Sequence, residues 1–347
     1  MNVGFYRYSL FNRGGDRLSL AYANHLATAG HDVTLYVVEL DTVFPMSPEL
    51  KVVAVNCSGR AEFLMHSSVV KLKHDIVIID IIHLYPFLSI RNSVLYYAQA
   101  DDVEYYDSVA MRTLVDFAYR LYFRRENKVI SMSQHLTDIL GQRYELKNVY
   151  TINTGIDHGL FHQERDKELL GVKENRKAVI LMARGDSFRK GFDLAMHVLE
   201  AIDVETAVKM ELWVCGNHLD NDNFKFTTRN FGVVSDDRLR QILSSADIFF
   251  YPSRHEGFGL FPLEAMACGC IAITTEAIPY AAQSNVIFVS PVGDTDMILE
   301  NLKSLLASTK DNLEALKERS IQYASTYDLK YSLAEFEQAL AEITGNS

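Results

Sequence analysis

The sequence predicts two α/β domains, each built on a doubly wound parallel β-sheet. Short runs rich in β-branched residues alternate with longer amphipathic segments, which is the pattern of repeated strand–helix units. The chain has 347 residues, enough for about two domains of ordinary size. Its 48% hydrophobic content supplies packed cores and excludes a disordered chain. Two such domains that face each other would place a ligand cleft at the carboxyl ends of both sets of strands.

Seven apolar runs in the first half predict strands, and the longer segments between them carry helical periodicity. The predicted strands are Asn2–Tyr6, Val33–Val38, Lys51–Val55, Asp75–Ile81, Val94–Tyr97, Val129–Ser131 and Val149–Ile152. The predicted helices are Asp16–Ala29, Glu62–Leu72, Asp107–Arg125 and Ser133–Tyr144.

The second half repeats this alternation and then becomes helical. Its predicted strands are Ala178–Ala183, Met210–Cys215, Asp247–Tyr251, Ile271–Thr274 and Val286–Val289, and its closing helices are Asp294–Ala307, Asn312–Ser325 and Leu329–Ile343. Between the halves, the Asn- and Gly-containing segment 153–161 and the polar stretch after it favour a crossover between two sheets. The predicted domains are therefore 1–164 and 165–325, followed by a C-terminal segment, 326–347.

Composition excludes several classes of protein. With 34 Lys and Arg against 45 Asp and Glu, the net charge of −11 argues against a surface that binds nucleic acid by neutralising phosphates. Four cysteines do not make a disulfide framework. The N-terminal segment lacks the pattern of a secretory leader, and the most apolar stretch, 76–90, is interrupted by polar residues. The expected location is the cytoplasm.

The segment 247–269 carries the clearest chemical signal. A predicted strand is followed by a loop with Gly257 and Gly259, which allow a ligand to approach the backbone, and then by a helix that begins near Leu260. Free N–H groups at a helix N-terminus favour an anion such as a diphosphate. Glu256 and Glu264 can accept hydrogen bonds from vicinal hydroxyls, and together these features suit a nucleotide sugar. The alternative is that Glu256 caps the helix and Glu264 is a solvated helix residue.

Glu256-Gly-Phe-Gly-Leu260, followed by Glu264-Ala-Met-Ala-Cys-Gly269, resembles the paired-glutamate motif of retaining, GT-B fold glycosyltransferases of group 1 (family 4), which use nucleotide sugars. Other segments resemble further family features in the same order along the chain. They are the glycine loop Gly14-Gly15, the linker 153–161, the basic pair Arg184 and Lys190, the strand-end Gly216, and the base-side turn Phe231-Gly-Val233-Val.

The resemblance implies two Rossmann-like domains facing a cleft, with the donor bound mainly by the second domain and the acceptor by the first. It also implies that the last helix crosses back to the first domain, that the anomeric configuration is retained, and that no metal ion or cofactor is needed. Arg184 and Lys190 would neutralise the departing diphosphate, where fixed cations stabilise the transition state. For these two, the alternative is ordinary surface pairing.

The resemblance further implies that Glu256 positions the donor sugar and that Glu264 holds the ribose hydroxyls. The other expected substrate-binding residues are Gly14, Gly15, Gln99, Asp101, Asp102, Gly216, Val233, Gly257, Phe258, Gly259 and Leu260. Asp220-Asn-Asp222 imitates a metal-binding Asp-x-Asp, but its polar setting predicts a solvated turn.

Two segments depart from the family pattern. Where many relatives carry a histidine that contacts the donor sugar, this chain has Gln99-Ala-Asp-Asp-Val-Glu104. Asp101 and Asp102 either bind acceptor hydroxyls or cap a helix start, where acidic residues favour the helix dipole. After Thr275, the usual Gly-Gly-x-x-Glu is replaced by Glu276-Ala-Ile-Pro-Tyr280.

The sequence therefore predicts a glycosyltransferase that moves a hexose or deoxyhexose from a UDP-, GDP- or dTDP-sugar to a glycan, lipid-linked or small-molecule acceptor, in surface polysaccharide or glycoconjugate synthesis. The alternatives are a sugar-nucleotide epimerase of the same fold and a non-catalytic glycan- or nucleotide-binding subunit. A basic run, Arg120, Arg124, Arg125 and Lys128, either makes weak contact with anionic lipid at the inner face of the membrane or is a solvated helix face.

Overall fold

The computed structural model describes residues 1–183, 188–219 and 224–345. Within these ranges the chain forms two compact units. Unit 1 contains Met1–Thr154 and the residues from Lys330 onward, and unit 2 contains Gly155–Leu329. Each unit has its own parallel sheet with crossover connections, so the predicted α/β fold class is confirmed.

In unit 1 the described strands form a seven-stranded sheet in the order β3-β2-β1-β4-β5-β6-β7. The strands are β1 (Asn2–Leu10), β2 (Asp32–Leu40), β3 (Lys51–Ala54), β4 (Ile76–Ile79), β5 (Val94–Ala98), β6 (Val129–Ser131) and β7 (Val149–Thr151). β1 pairs in parallel with β2, where Val3 lies opposite Val33, and with β4, where Val3 lies opposite Ile76. The strand order reverses at β1, so ligands are expected at the carboxyl ends of β1 and β4.

In unit 2 the strands within the described ranges form a six-stranded sheet in the order β10-β9-β8-β11-β12-β13. They are β8 (Lys177–Ala183), β9 (Met210–Gly216), β10 (Thr227–Gly232), β11 (Ile248–Tyr251), β12 (Ile271–Thr275) and β13 (Phe288–Ser290). Their buried aliphatic faces pack against helices to form the core, which includes Leu181, Val214 and Phe250. β10 was missed by the sequence prediction, because it is a partly exposed edge strand of polar residues with no apolar run.

The helices lie between the strands and at the C-terminal end. Those of the first part are α1 (Gly14–Thr28), α2 (Arg60–Val69), α3 (Tyr85–Leu88), α4 (Val109–Arg124) and α5 (Gln134–Arg143). Those of the second part are α6 (Lys167–Lys173), α7 (Phe192–Glu200), α8 (Val204–Ala207), α9 (Asp236–Ser245), α10 (Leu260–Ala267), α11 (Thr295–Ala307), α12 (Lys310–Ala324) and α13 (Leu329–Thr344). Across the described ranges, none of these helices combines the length and apolarity that crossing a bilayer requires.

Helix α13 packs within unit 1, far along the chain from its partners. The ring of Phe336 stacks on Tyr22 with centroids 4.0 Å apart. On the same helix, the Glu337 carboxylate contacts His25 at 2.8 Å and His31 at 2.9 Å. These contacts bind the C-terminal helix to α1 and the loop that follows it.

The two units divide at Thr154 and Leu329, whereas the sequence placed the boundaries at 164 and 325. The physical reason is backbone pairing between distant segments. Ile156 N–H donates to the Tyr327 carbonyl at 3.0 Å, and Leu329 N–H donates to the Ile156 carbonyl at 2.9 Å. A Cβ on Gly155 would lie 2.5 Å from the backbone carbon of Asp328, so only glycine allows this close approach.

Candidate functional site

The carboxyl ends of β8, β9 and β11 meet at one edge of the unit 2 sheet, because neighbouring strands there are parallel. Gly216 ends β9 with φ +108°, and a Cβ at this position would lie 2.0 Å from the Ala183 carbonyl oxygen. A glycine is therefore required where β8 and β9 end together. The expected Arg184, which follows Ala183 directly, lies outside the described residues, as does Asp220-Asn-Asp222.

Lys190 and Glu256 come together at this edge. Lys190 Nζ donates to Glu256 Oε1 at 2.8 Å, and the Tyr251 hydroxyl donates to the same oxygen at 2.7 Å. Ser253 Oγ lies 3.1 Å from it. The Glu256 side chain is 9% exposed and that of Lys190 is 24% exposed, so the pair is shielded without being sealed from solvent.

The charge state of Glu256 follows from these partners. Burial by itself would raise the pKa of the carboxyl, but the Lys190 ammonium and the hydrogen bonds from Tyr251 and Ser253 lower it below its ordinary value. Glu256 is therefore an anion at neutral pH. It does not cap α10, whose N-terminus has no side-chain cap.

The loop after β11 is hydrogen-bonded to the segment that carries Lys190. The Arg254 guanidinium donates to both oxygens of the Asp193 carboxylate, at 2.5 and 2.6 Å, and to the Phe188 carbonyl at 2.8 Å. Arg254 N–H donates to the Arg189 carbonyl at 2.8 Å. These bonds fix the backbone on either side of the Lys190–Glu256 contact.

Gly191 makes the contact between these loops possible. Its φ is +67°, and a Cβ there would lie 1.7 Å from the Pro252 carbonyl oxygen. The residue after Lys190 must therefore be glycine for the two loops to touch. This requirement explains the Lys-Gly pair that the sequence singled out.

The loop Gly257–Gly259 leads into α10. Gly259 has φ +91° at the N-cap position, Leu260 begins the helix, and Phe258 is buried with its ring 5.4 Å from that of Tyr280. The predicted helix start at Leu260 is confirmed. This helix N-terminus has no side-chain cap, and the positive end of a helix favours an anion.

Glu264 and Val233 occupy contrasting environments. Glu264 lies on α10 and is 4% exposed, so the alternative of a solvated helix residue does not hold. Val233 follows β10 directly and is 87% exposed. Next to it, the ring of Phe231 meets Trp213 edge to face at 5.6 Å.

In unit 1 the structure brings Gly15 and Gln99 together at the carboxyl ends of β1 and β5. Gly14 and Gly15 begin α1, and a Cβ on Gly15 would lie 2.2 Å from Gln99 Oε1. Gln99 Nε2 donates to Ser19 Oγ at 2.6 Å. The side chain of Gln99 therefore rests directly on the glycine loop.

Asp101 and Asp102 are buried, at 2% and 3% exposure. Asp101 accepts from Val103 N–H at 3.1 Å, so it caps a helix start, as one of the two alternatives predicted. It also pairs with Arg143. Asp102 accepts from Ile82 N–H at 2.6 Å, and burial raises its pKa to about 8. Both carboxyl groups therefore have hydrogen-bond or ion-pair partners within unit 1.

Sequence reasoning missed Arg7, which lies buried on β1. Its guanidinium pairs with Asp16 in the first turn of α1 and with Asp80 after β4, at 3.0 Å for Asp80. Asp16 also accepts from Phe11 N–H at 3.0 Å. Arg7 thus holds the backbone around the glycine loop, and an arginine within an otherwise apolar strand was the available signal.

The residues of the basic run at the end of α4 and just after it make different contacts. Arg120 pairs with Asp116 at 2.7 Å, and Lys128 Nζ lies 3.3 Å from the Ile343 carbonyl at the end of α13. Arg124 is exposed. Phe117 on the same helix is 55% exposed, so this face presents both charge and apolar surface.

Comparison with known proteins adds to this geometry. Residues 162–324 match the family described as "Glycosyl transferases group 1". The chain is 24% identical over 210 residues to the mannosylfructose-phosphate synthase of Agrobacterium fabrum, covering 53% of this chain and 46% of that protein. The chain spans about half, or less, of the curated relatives it matches.

Solved structures match along almost the whole chain. WaaG, described as a glycosyltransferase involved in lipopolysaccharide biosynthesis, superposes with a TM-score of 0.77 at 20% identity, covering 99% of this chain and 100% of that one. Anabaena HepE in complex with UDP-glucose superposes with a TM-score of 0.71 at 15% identity, covering 99% and 100%. The fold is therefore the GT-B fold of glycosyltransferases. Residues 162–324, which include the Lys190–Glu256 pair, are the part of the chain that matches the group 1 family.

Proposed function

We propose that this protein transfers a hexose or deoxyhexose from a nucleoside-diphosphate sugar to a hydroxyl acceptor, with retention of the anomeric configuration. The observation that carries the proposal is the ion pair of Lys190 and Glu256, 2.8 Å apart and shielded from solvent, just before the N-terminus of α10. It lies in the part of the chain that matches group 1 glycosyltransferases.

The chemistry follows from charge. When the bond from the sugar to the diphosphate breaks, negative charge develops on the departing phosphate. A lysine held in place by a buried carboxylate is a fixed cation that needs no reorganisation to stabilise this charge. We assign that role to Lys190, together with Arg184. We assign positioning of the donor sugar to Glu256 and of the ribose hydroxyls to Glu264.

Donor and acceptor classes are proposed from the relatives. A neighbour of the same fold binds UDP-glucose, another serves lipopolysaccharide biosynthesis, and a curated relative is a mannosylfructose-phosphate synthase. We therefore propose a UDP-, GDP- or dTDP-linked donor and a glycan, lipid-linked or small-molecule acceptor on the cytoplasmic side, with no cofactor or metal ion. The Gly15–Gln99 contact in unit 1 supports an acceptor role for that segment.

The test is donor hydrolysis without acceptor. The purified protein is incubated with UDP-, GDP- and dTDP-hexoses, and thermal shift, nucleoside diphosphate release and the fate of the sugar are followed. We expect one donor class to raise the melting temperature and to be slowly hydrolysed to the free sugar and nucleoside diphosphate. A donor returned with an inverted carbon centre and an intact diphosphate bond would identify an epimerase, and binding without turnover would identify a binding subunit.

We also propose a weak contact of α4 with anionic membrane surfaces. Arg124 is exposed on this helix seven residues after the exposed Phe117, a spacing that puts both side chains on one helix face. Arg124→Glu is expected to weaken binding to vesicles of phosphatidylglycerol and phosphatidylcholine by about fivefold or more, since one basic residue near such a surface contributes about 1 kcal/mol. Lys209→Glu, an exposed change on unit 2, is the matched control for vesicle flotation. Equal binding by both variants would contradict the contact.

A further inference from the structure

The segment 276–280, which departs from the family pattern, packs against the loop that precedes α10. The Tyr280 hydroxyl donates to the Gly259 carbonyl. Ile278 approaches from the same side, since its Cδ1 lies 2.7 Å from where a Cβ on Gly259 would be. One side chain thus holds the carbonyl of the N-cap residue, and another fills the space that only a glycine leaves open.

Tyr280 is itself held firmly. It is 4% exposed, and its backbone carbonyl accepts a hydrogen bond from the Tyr323 hydroxyl at 3.0 Å. Its ring lies 5.4 Å from Phe258 and 5.4 Å from Tyr327. Burial raises the pKa of the phenol well above its ordinary value, so the hydroxyl keeps its proton and remains a donor.

The Gly259 carbonyl has particular importance because of its position. Gly259 is the N-cap of α10 in a left-handed conformation, which residues other than glycine rarely adopt. Fixing its carbonyl fixes the peptide plane between Gly259 and Leu260, and with it the direction of the first N–H group of the helix. A loop held in this way binds an anion without first having to be ordered.

We propose that Tyr280 is a positioning residue that holds the Gly257–Gly259 loop and the N-terminus of α10 ready for the diphosphate of the donor. The inference rests on the proposed function, because it takes the ligand of this loop to be a nucleoside diphosphate. In this chain the loop is supported by Ile278 and by Tyr280, which stands where the family pattern after Thr275 has a glutamate.

The test compares Tyr280→Phe with Tyr327→Phe, since Tyr327 belongs to the same ring cluster and its hydroxyl contacts that of Tyr323 at 3.2 Å. Both changes remove one phenol hydroxyl from the same aromatic cluster, but only the first removes the bond to Gly259. Hydrogen exchange of the segment 256–261 is measured without ligand, and the dissociation constants of UDP, GDP and dTDP are measured by calorimetry. A melting curve of each variant checks that both are folded.

We expect faster exchange of this segment in Tyr280→Phe alone, and a dissociation constant raised about three- to tenfold, as the loss of one buried hydrogen bond would give. Unchanged exchange in Tyr280→Phe would overturn the positioning role whether or not a nucleotide binds. Faster exchange with an unchanged dissociation constant would show that the loop does not receive the diphosphate, and would equally overturn it. A wild-type protein that binds none of the three nucleotides would instead contradict the proposed function, and the inferred ligand with it.

Discussion

Lys190→Ala is expected to lower turnover at saturating donor by about a hundred- to a thousandfold, the range seen when one preorganised group that stabilises developing charge is removed. The lysine is 2.8 Å from a buried carboxylate, and both loops around it are bound to each other. Its charge is therefore fixed before the reaction begins. Turnover is measured by release of the nucleoside diphosphate, first with donor alone and then with an acceptor.

Stability must be separated from chemistry in this variant. Without Lys190, the Glu256 carboxylate loses its ion-pair partner, so part of the effect would be a lower melting temperature. The double variant Lys190→Ala with Glu256→Gln removes the uncompensated charge and is expected to recover stability without recovering turnover. Lys209→Ala, at an exposed lysine, is the matched control. Turnover near the wild-type value in Lys190→Ala would contradict the assigned role.

Asp247→Ala is expected to lower the free energy of unfolding by about 3–5 kcal/mol, the cost of breaking a buried ion pair by removing one partner. Asp247 Oδ1 accepts from Lys317 Nζ at 2.6 Å, and Oδ2 accepts from Lys173 Nζ at 2.7 Å and from Ala178 N–H at 2.8 Å. These bonds tie α6 and α12 to the amino end of β11. The variant would leave two largely buried ammonium groups without their common partner.

The same site predicts a dependence on pH. Burial would raise the pKa of Asp247, but the two ammonium groups lower it below its value in the unfolded chain, which is about 4. A carboxyl with a lowered pKa contributes stability that is complete above the unfolded value and is lost as the pH falls through the folded value. Urea unfolding of the wild type should therefore show a loss of stability below about pH 4 that is smaller in Asp247→Ala.

Asp41→Ala, at an exposed aspartate, is the matched control for both measurements. It is expected to change the unfolding free energy by less than about 0.5 kcal/mol. If Asp247→Ala were as stable as this control at neutral pH, the ion triad would not stabilise unit 2.

Several features could be predicted from the sequence because they depend on local chemistry. The strands around Val33, Val129 and Ile271 are rich in β-branched residues, and they form where the pattern predicted them. The start of α10 at Leu260 follows from the glycines before it and from Pro262 in its first turn. The Lys190-Gly191 pair in the sequence also indicated a special backbone conformation, since glycine is the residue for which φ +67° carries no steric cost.

Other features depend on segments far apart in sequence. The unit boundary falls at Thr154 because Ile156 pairs with Asp328. The composition of the sequence near residue 160 does not indicate a partner so far along the chain. Asp101 and Asp102 looked equally suited to a ligand or to a helix start, and burial among distant side chains turned both inward. β10 carries no apolar pattern, because an edge strand leaves much of its surface to solvent.

The sequence by itself thus determined the α/β class and the carriers of chemistry, because strand propensity, glycine conformation and the charge of Lys190 and Glu256 are properties of residues and their neighbours. Only the tertiary structure decided which groups meet. Within each unit, parallel strands bring distant loops to the same edge of the sheet. This arrangement produces the contact of Gln99 with Gly15 in unit 1. In unit 2 it produces the contacts of Lys190 with Glu256 and of Tyr280 with the Gly259 carbonyl. Such contacts are set by packing in three dimensions, which local patterns along the chain do not encode.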